Sequence, residues 1–228
     1  MNPLTRALTS CALGLGAAAA HAADGGIQIT EWMYNGNGAT GEYIEFTNLG
    51  ASAIDFTGWS FDDDSRSPGV TSLSGFGLVA AGQSVLLTEA AAADFRAAWG
   101  LASSVKVVGA NAANLGRADE INLFDASGAL IDRLSYGDQT LAGTVRAQNR
   151  SGNPLSLADL SPQAVTTGWV LASAGDAFGS YASTLGDLGN PGSFAVAAPI
   201  PEPSTYALLL AGLGVVVTVA RRRAGRSL

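Results

Sequence analysis

The chain has 228 residues, 47% of them hydrophobic, with one cysteine, one histidine and a formal charge of −7 from 19 acidic and 12 basic side chains. Between residues 23 and 200 the imbalance sharpens to eighteen acids against seven bases, namely Arg66, Arg96, Lys106, Arg117, Arg133, Arg146 and Arg150. That excludes a basic face able to release the counterions of a nucleic acid, and a polyanionic ligand is repelled.

At the N-terminus, Arg6 precedes an apolar stretch from Ala7 to Ala20 that closes on Ala20-His21-Ala22, an A-x-A pattern. This predicts a secretory signal peptide over residues 1–22, cut between Ala22 and Ala23. Cys11 comes too early in the apolar region for a lipoprotein signal. The cut removes both Cys11 and His21, so disulfides, Cys/His zinc sites, cysteine nucleophiles and Ser-His-Asp triads are excluded from the mature chain. An exported domain without disulfides is held by its core, and residues 23–192 are enough for one.

Short segments rich in β-branched and aromatic residues then recur between clusters of Gly, Asn, Asp and Ser, which predicts an all-β sandwich or barrel. The strands expected in chain order are Ile27 to Met33, Glu42 to Thr47, Ala53 to Phe61, Ser84 to Leu87, Val105 to Val108, Glu120 to Phe124 and Ala129 to Tyr136. In the third, Ile54 and Phe56 alternate with Asp55 and Thr57 as on a half-buried strand. Asp125 to Gly128 reads as the hairpin turn between the last two. One helix is expected after Thr88 as N-cap, ending at Gly100, with Phe95 and Trp99 on its core face. After Arg146 the sequence predicts irregular structure with short strands as far as Gly189-Asn190-Pro191-Gly192, and residues 193–200 read as a linker.

The last segment has three parts: Pro201-Glu202-Pro203, a mostly apolar run from Tyr206 to Ala220, and Arg221-Arg222-Arg223. Fifteen helical residues span roughly 22 Å, short of a hydrocarbon core of about 30 Å, but an interfacial tyrosine and snorkelling arginines close the gap. The run reads as a transmembrane helix over residues 206–220. The arginines act as a stop-transfer signal on the cytoplasmic side, which turns the preceding domain outward. The two prolines hold their segment extended, as a protease requires.

These three parts resemble the PEP-CTERM sorting signal of Gram-negative bacteria. The resemblance implies recognition by an exosortase-type membrane protease, a transient anchor and release to the cell surface or extracellular matrix. A second resemblance rests on Ile29-Thr30-Glu31-Trp32-Met33, on Glu42-Tyr43-Ile44-Glu45-Phe46-Thr47-Asn48 and on Ile54-Asp55-Phe56-Thr57-Gly58-Trp59. Leu78 to Leu87, Asp119 to Leu123 and Gly128 to Tyr136 continue it in order. Together they are similar to the lamin tail domain, an immunoglobulin-like β-sandwich, from about residue 27 to 137, with the helix as an insertion and 138–192 as a weakly covered extension. That family implies a structural or adhesive role and brings no catalytic residues.

Several motifs compete for chemistry. Gly36 to Gly41 spells G-x-G-x-x-G, but a dinucleotide fingerprint must open a helix, and a strand is expected at Glu42 instead. Ser103 to Lys106 spells S-x-x-K, yet Lys106 is the only lysine, so the companion K-T-G cannot exist. Asp62, Asp63 and Asp64 are the only cluster that could collect a Ca²⁺. A solvated turn with Arg66 as partial counterion explains them too, and no D-x-D-x-D-G loop is present. Glu31, Glu42 and Glu45 could supply a carboxylate pair of hydrolase type, although nothing in their spacing favours it. Trp32, Trp59 and Trp169 read as core residues rather than sugar platforms. The sequence therefore points to a non-enzymatic exported surface module that needs no cofactor, with a calcium- or carbohydrate-binding module as the alternative and a carboxylate-only hydrolase third. Expected partners are the exosortase-type protease, the membrane during transit and exopolysaccharide or other surface components.

Overall fold

Period-two alternation places Ile27 and Ile29 on one side of the first strand, and a β-bulge between Ile29 and Glu31 returns Trp32 to that side. The same bulge leaves Thr30 and Glu31 both on the opposite face, where they meet the neighbouring strand. The structure is a computed structural model that describes residues 26–196. The predicted signal peptide with its cut at Ala22/Ala23, the Pro201-Glu202-Pro203 motif, the 206–220 helix and Arg221 to Arg223 lie outside the described residues. Among the described residues, no helix is long and apolar enough to cross a membrane.

In chain order the strands are β1 (Ile27–Met33), β2 (Tyr43–Asn48), β3 (Ile54–Asp55), β4 (Ser60–Asp62), β5 (Thr71–Ser72), β6 (Leu78–Val79), β7 (Ser84–Thr88) and β8 (Lys106–Val108). They continue with β9 (Ala118–Phe124), β10 (Leu130–Gly137), β11 (Gly152–Pro154), β12 (Ala164–Val165), β13 (Trp169–Leu171), β14 (Tyr181–Ala182) and β15 (Leu188–Gly189). One helix, α1 (Ala92–Trp99), separates β7 from β8.

Two sheets face each other, one of six strands in the order β13-β11-β1-β2-β7-β8 and one of five in the order β12-β10-β9-β4-β5. Between them lies a core that joins Ile29, Trp32, Ile44, Phe46, Val85 and Leu87 of the first sheet to Phe61, Ile121, Leu123, Leu134 and Tyr136 of the second. This is the immunoglobulin-like sandwich the sequence predicts. Trp32 is its central side chain, fully buried, 5.0 Å from the Tyr136 ring and 5.2 Å from Trp169. Removing a side chain of that size costs about 3–5 kcal/mol.

The expected strand from Ala53 to Phe61 is interrupted. Gly58 takes φ +81, which an L side chain avoids, and the chain turns there so that β3 pairs with β6 while β4 crosses to the second sheet. The helix also starts later than expected. Thr88 stays in β7, where its hydroxyl donates to Glu42 O at 2.8 Å, and the residue ahead of α1 is Ala91, which offers no side-chain cap. Its end is as predicted, with Gly100 in the left-handed region at φ +63. Phe95 and Trp99 pack on the outer face of the six-stranded sheet, with Met33, Tyr43 and Leu86, in a second cluster separate from the inter-sheet core.

The chain beyond Gly137 is built into both sheets. β11 extends the first sheet beside β1, β13 follows it, and β12 runs parallel to β10 in the second. The later hairpin β14–β15 then lies across the outer face, where Tyr181 meets Trp99 edge-on at 5.7 Å and Thr184 N–H donates to Ala98 O at 2.8 Å.

Candidate functional site: two carboxylate centres and a sorting segment

The first centre follows from the β1/β2 register. Glu31 stands opposite Glu45 in that antiparallel ladder, and both are fully buried. The bulge directs Thr30 to the same patch, so its hydroxyl donates to Glu45 Oε1 at 2.9 Å. Glu31 Oε1 accepts from Tyr43 Oη at 2.6 Å, from Ser151 Oγ and from Asn190 N–H at 2.8 Å. Glu45 Oε2 accepts from Gly192 N–H at 2.6 Å. The two carboxylates thus hold down the strap that ends the described fold. Burial is the main cause that raises both above the ordinary glutamate range, and the Glu45 charge raises Glu31 further. Glu31 Oε2 has no hydrogen-bond partner among the described residues. With no exposure at either residue, a substrate has no route to this pair, and its chemistry is structural.

The second centre lies one step beyond the β2/β7 ladder. Tyr43 pairs with Thr88, so the next residues, Glu42 and Glu89, fall side by side, with Glu89 N–H reaching Glu42 O at 3.4 Å. Alternation puts them on the side of Ile44 and Leu87, at the open end of the sandwich. The loop between β8 and β9 closes over them, shaped by Asn111, whose amide bonds Ala113 at both ends, at 2.8 and 3.2 Å. Leu115 N–H donates to Glu42 Oε1 at 3.2 Å. Glu42, Glu89 and Leu115, together with Tyr34, Asn35 and Asn114, line a pocket of about 200 Å³. Glu42 is 7% exposed, and its carboxyl is pushed up to about 8, mainly by burial, with the charges of Glu89 and Asp119 adding to it. A carboxyl raised beside a second carboxylate is the arrangement by which proteins place a proton donor next to an acceptor.

The aspartates of the calcium candidate do not converge. Asp62 is buried and its Oδ2 accepts from Ser65 Oγ at 2.6 Å and Ser67 N–H at 2.5 Å. Asp63 Oδ1 accepts from Ser65 N–H at 3.1 Å. Arg66 makes a forked pair with Glu120, at 2.7 and 2.6 Å, and also feels the Asp64 charge. Among the described residues no three His, Cys, Asp or Glu side chains gather as metal ligands. The G-x-G-x-x-G stretch forms a loop and a 3₁₀ turn, Ala39–Gly41, leading into a strand. Lys106 of the S-x-x-K stretch donates to the carbonyls of Phe76, at 2.9 Å, and Leu78. Trp32 and Trp169 are core residues, and Trp59 is half-buried against Phe56, 4.7 Å away.

The sequence groups Glu31, Glu42 and Glu45 but hides their division, because parity along β2 sends Glu45 outward to Glu31 and Glu42 inward to Glu89. Glu89 carries no signal in the sequence, since its partner is set by strand register alone.

Strands β1 to β10 all lie within a family match to the Lamin Tail Domain, which covers residues 20–138. The chain belongs to the lamin tail domain family. In this lamin tail domain protein the match stops just past β10, so β11 to β15 are additions that complete the sheet and seal Glu31 and Glu45. A second match, to the PEP-CTERM protein-sorting motif, covers residues 199–224 and marks the protein for export and exosortase sorting. Both are non-catalytic domain types. A search of curated proteins found no match.

Proposed function

We propose that this lamin tail domain protein is a non-enzymatic structural or adhesive module of the cell surface or extracellular matrix. It is made with a signal peptide, held in the inner membrane by residues 206–220 with its sandwich facing the periplasm, and released by an exosortase-type protease near Pro201-Glu202-Pro203. The observation that carries this reading is the position of the sorting motif, which begins at residue 199, directly after a sandwich whose last segment is pinned at Asn190 and Gly192. A domain closed up to that point leaves a motif separated from it by only a few residues in sequence, where a membrane protease can cut without unfolding the domain. The fully buried state of Glu31 and Glu45 supports a scaffold over a hydrolase for that pair.

Intact-mass measurement on protein recovered from membrane and from extracellular matrix tests this. The expected matrix species begins at Ala23 and lacks residues 206–228, and replacing Pro201-Glu202-Pro203 by three alanines retains the protein in the membrane. Matrix protein that still carries Arg221 to Arg223 overturns it. A second reading, a carbohydrate-binding module, is favoured by the Glu42/Glu89 pocket.

A further inference from the structure

We propose that the pocket between Glu42 and Glu89 is a binding site for a single non-acidic sugar residue, held through its hydroxyl groups. This rests on the adhesive reading above and gives it a place on the molecule.

The pocket has the groups such a ligand needs. Glu42 is more than nine-tenths buried and lines the cavity; among the described residues its carboxyl has one hydrogen-bond partner, Leu115 N–H to Oε1, which leaves Oε2 to a ligand. The side chains of Asn35, Glu89 and Asn114, on the same rim, engage no other group among the described residues and lie exposed. A sugar hydroxyl is donor and acceptor at once, and two amides with two carboxyls offer both functions from both directions. Burial raises the Glu42 carboxyl and so favours its protonated, donating form.

Size and charge narrow the class. About 200 Å³ is below the ~300–1,000 Å³ of drug-sized sites, so one ring fits and two do not. It also exceeds what a bare cation fills, and among the described residues Glu42 and Glu89 are the only carboxylates lining it. No described Lys or Arg lines the pocket, so a uronate or phosphorylated sugar would meet two acids without a counterion. Tyr34, packed against Tyr136 with ring centroids 6.4 Å apart and its hydroxyl engaged by Arg146 Nε at 3.1 Å, forms a fixed wall.

The test uses the purified full-length protein on an array of neutral, amino-sugar and uronate oligosaccharides, with Glu89→Ala and Asn114→Ala as variants. Both side chains are exposed and engage no other described group, so the variants stay folded, which a cooperative melting transition checks. Retention of neutral or amino-sugar chains, weakened roughly tenfold or more by Glu89→Ala, which removes a charge-assisted hydrogen bond, and about three- to tenfold by Asn114→Ala, which removes a neutral one, is the expected result. Retention of uronate chains alone, retention indifferent to both variants, or no retention overturns the pocket assignment. So does a rise in melting temperature with Ca²⁺ alone that Glu89→Ala abolishes, which makes the site a cation site. Protein found processed in the matrix while the variants bind glycans like wild type removes the pocket and leaves the surface module standing. Protein never released from the membrane removes the surface module itself.

Discussion

Glu31 and Glu45 face each other across adjacent antiparallel strands, without solvent exposure, and accept backbone N–H groups from Asn190 and Gly192 of the strap that closes the fold. Directly opposed like charges destabilise a ladder, so the pair is tolerated because it holds protons that the unfolded chain would release.

The stability of the protein therefore falls as pH rises. Groups raised from an ordinary 4.5, as Glu42 is to about 8, bind more protons folded than unfolded between those values. Their stabilising contribution is complete below pH 4.5 and is lost as pH rises through about 8. Glu31 and Glu45 act in the same sense. Denaturant unfolding at pH 5 and pH 9 is expected to differ by several kcal/mol, since each tenfold difference in proton affinity between folded and unfolded chain is worth ~1.4 kcal/mol. A flat profile would contradict the burial of all three.

Glu31→Gln isolates the pair. The amide oxygen keeps the bonds from Tyr43, Ser151 and Asn190, and the amide nitrogen takes the place of the unpartnered Oε2. The variant should unfold close to wild type at pH 5 and be more stable at pH 9. Equal destabilisation at both would mean that the carboxylate form, not the proton, holds the strap.

Gly189 is where the strap passes over the pair. A methyl group there would overlap Tyr43 Oη and sit 3.0 Å from Glu31 Oε1, so Gly189→Ala must lift the strap or displace both side chains. A loss of about 1–3 kcal/mol is expected, with faster amide exchange at Asn190 and Gly192. Unchanged exchange at those two amides would argue against the contact.

Ending the chain at Asp138, the last residue of the family match, should leave an unstable sandwich. It removes β11, β13 and the strap, uncovering Trp32, whose ring packs against Gly152 and Trp169, and Glu31 with Glu45. Red-shifted tryptophan fluorescence and loss of a cooperative transition are the expected signs. A cooperative unit of wild-type stability would show that the additions are decoration.

Asp132 tests the join between sheets. It is buried, raised to about 6 mainly by burial, and its Oδ2 accepts the Ile29 N–H at 2.8 Å from across the core. Asp132→Asn keeps the size but lets a donor face that N–H, with an expected cost of about 1–3 kcal/mol in thermal or urea unfolding.

Strand periodicity made β1, β2, β7, β9 and β10 legible, because their alternation is local and one face is apolar. Gly100 ended the helix for an equally local reason. The break at Gly58 was not legible, since Ile54, Phe56 and Trp59 continue an acceptable pattern through a residue that fits a strand as well as a turn. Nor were the carboxylate centres: Glu31 and Glu45 depend on a one-residue bulge after Ile29 and on Ser151, Asn190 and Gly192, more than a hundred residues away, and Glu42 depends on Glu89 and Leu115 through strand register and loop closure. A slip of one residue exchanges every side chain between faces. Composition and the strand repeat thus pointed by sequence alone to an all-β domain, the ordered strand motifs to a lamin-tail-like sandwich, and the C-terminal motif to export. Only the tertiary structure decided that Glu45 is sealed with Glu31 and Glu42 opens to a pocket with Glu89, because adjacent strands choose those neighbours through register, which no local pattern encodes.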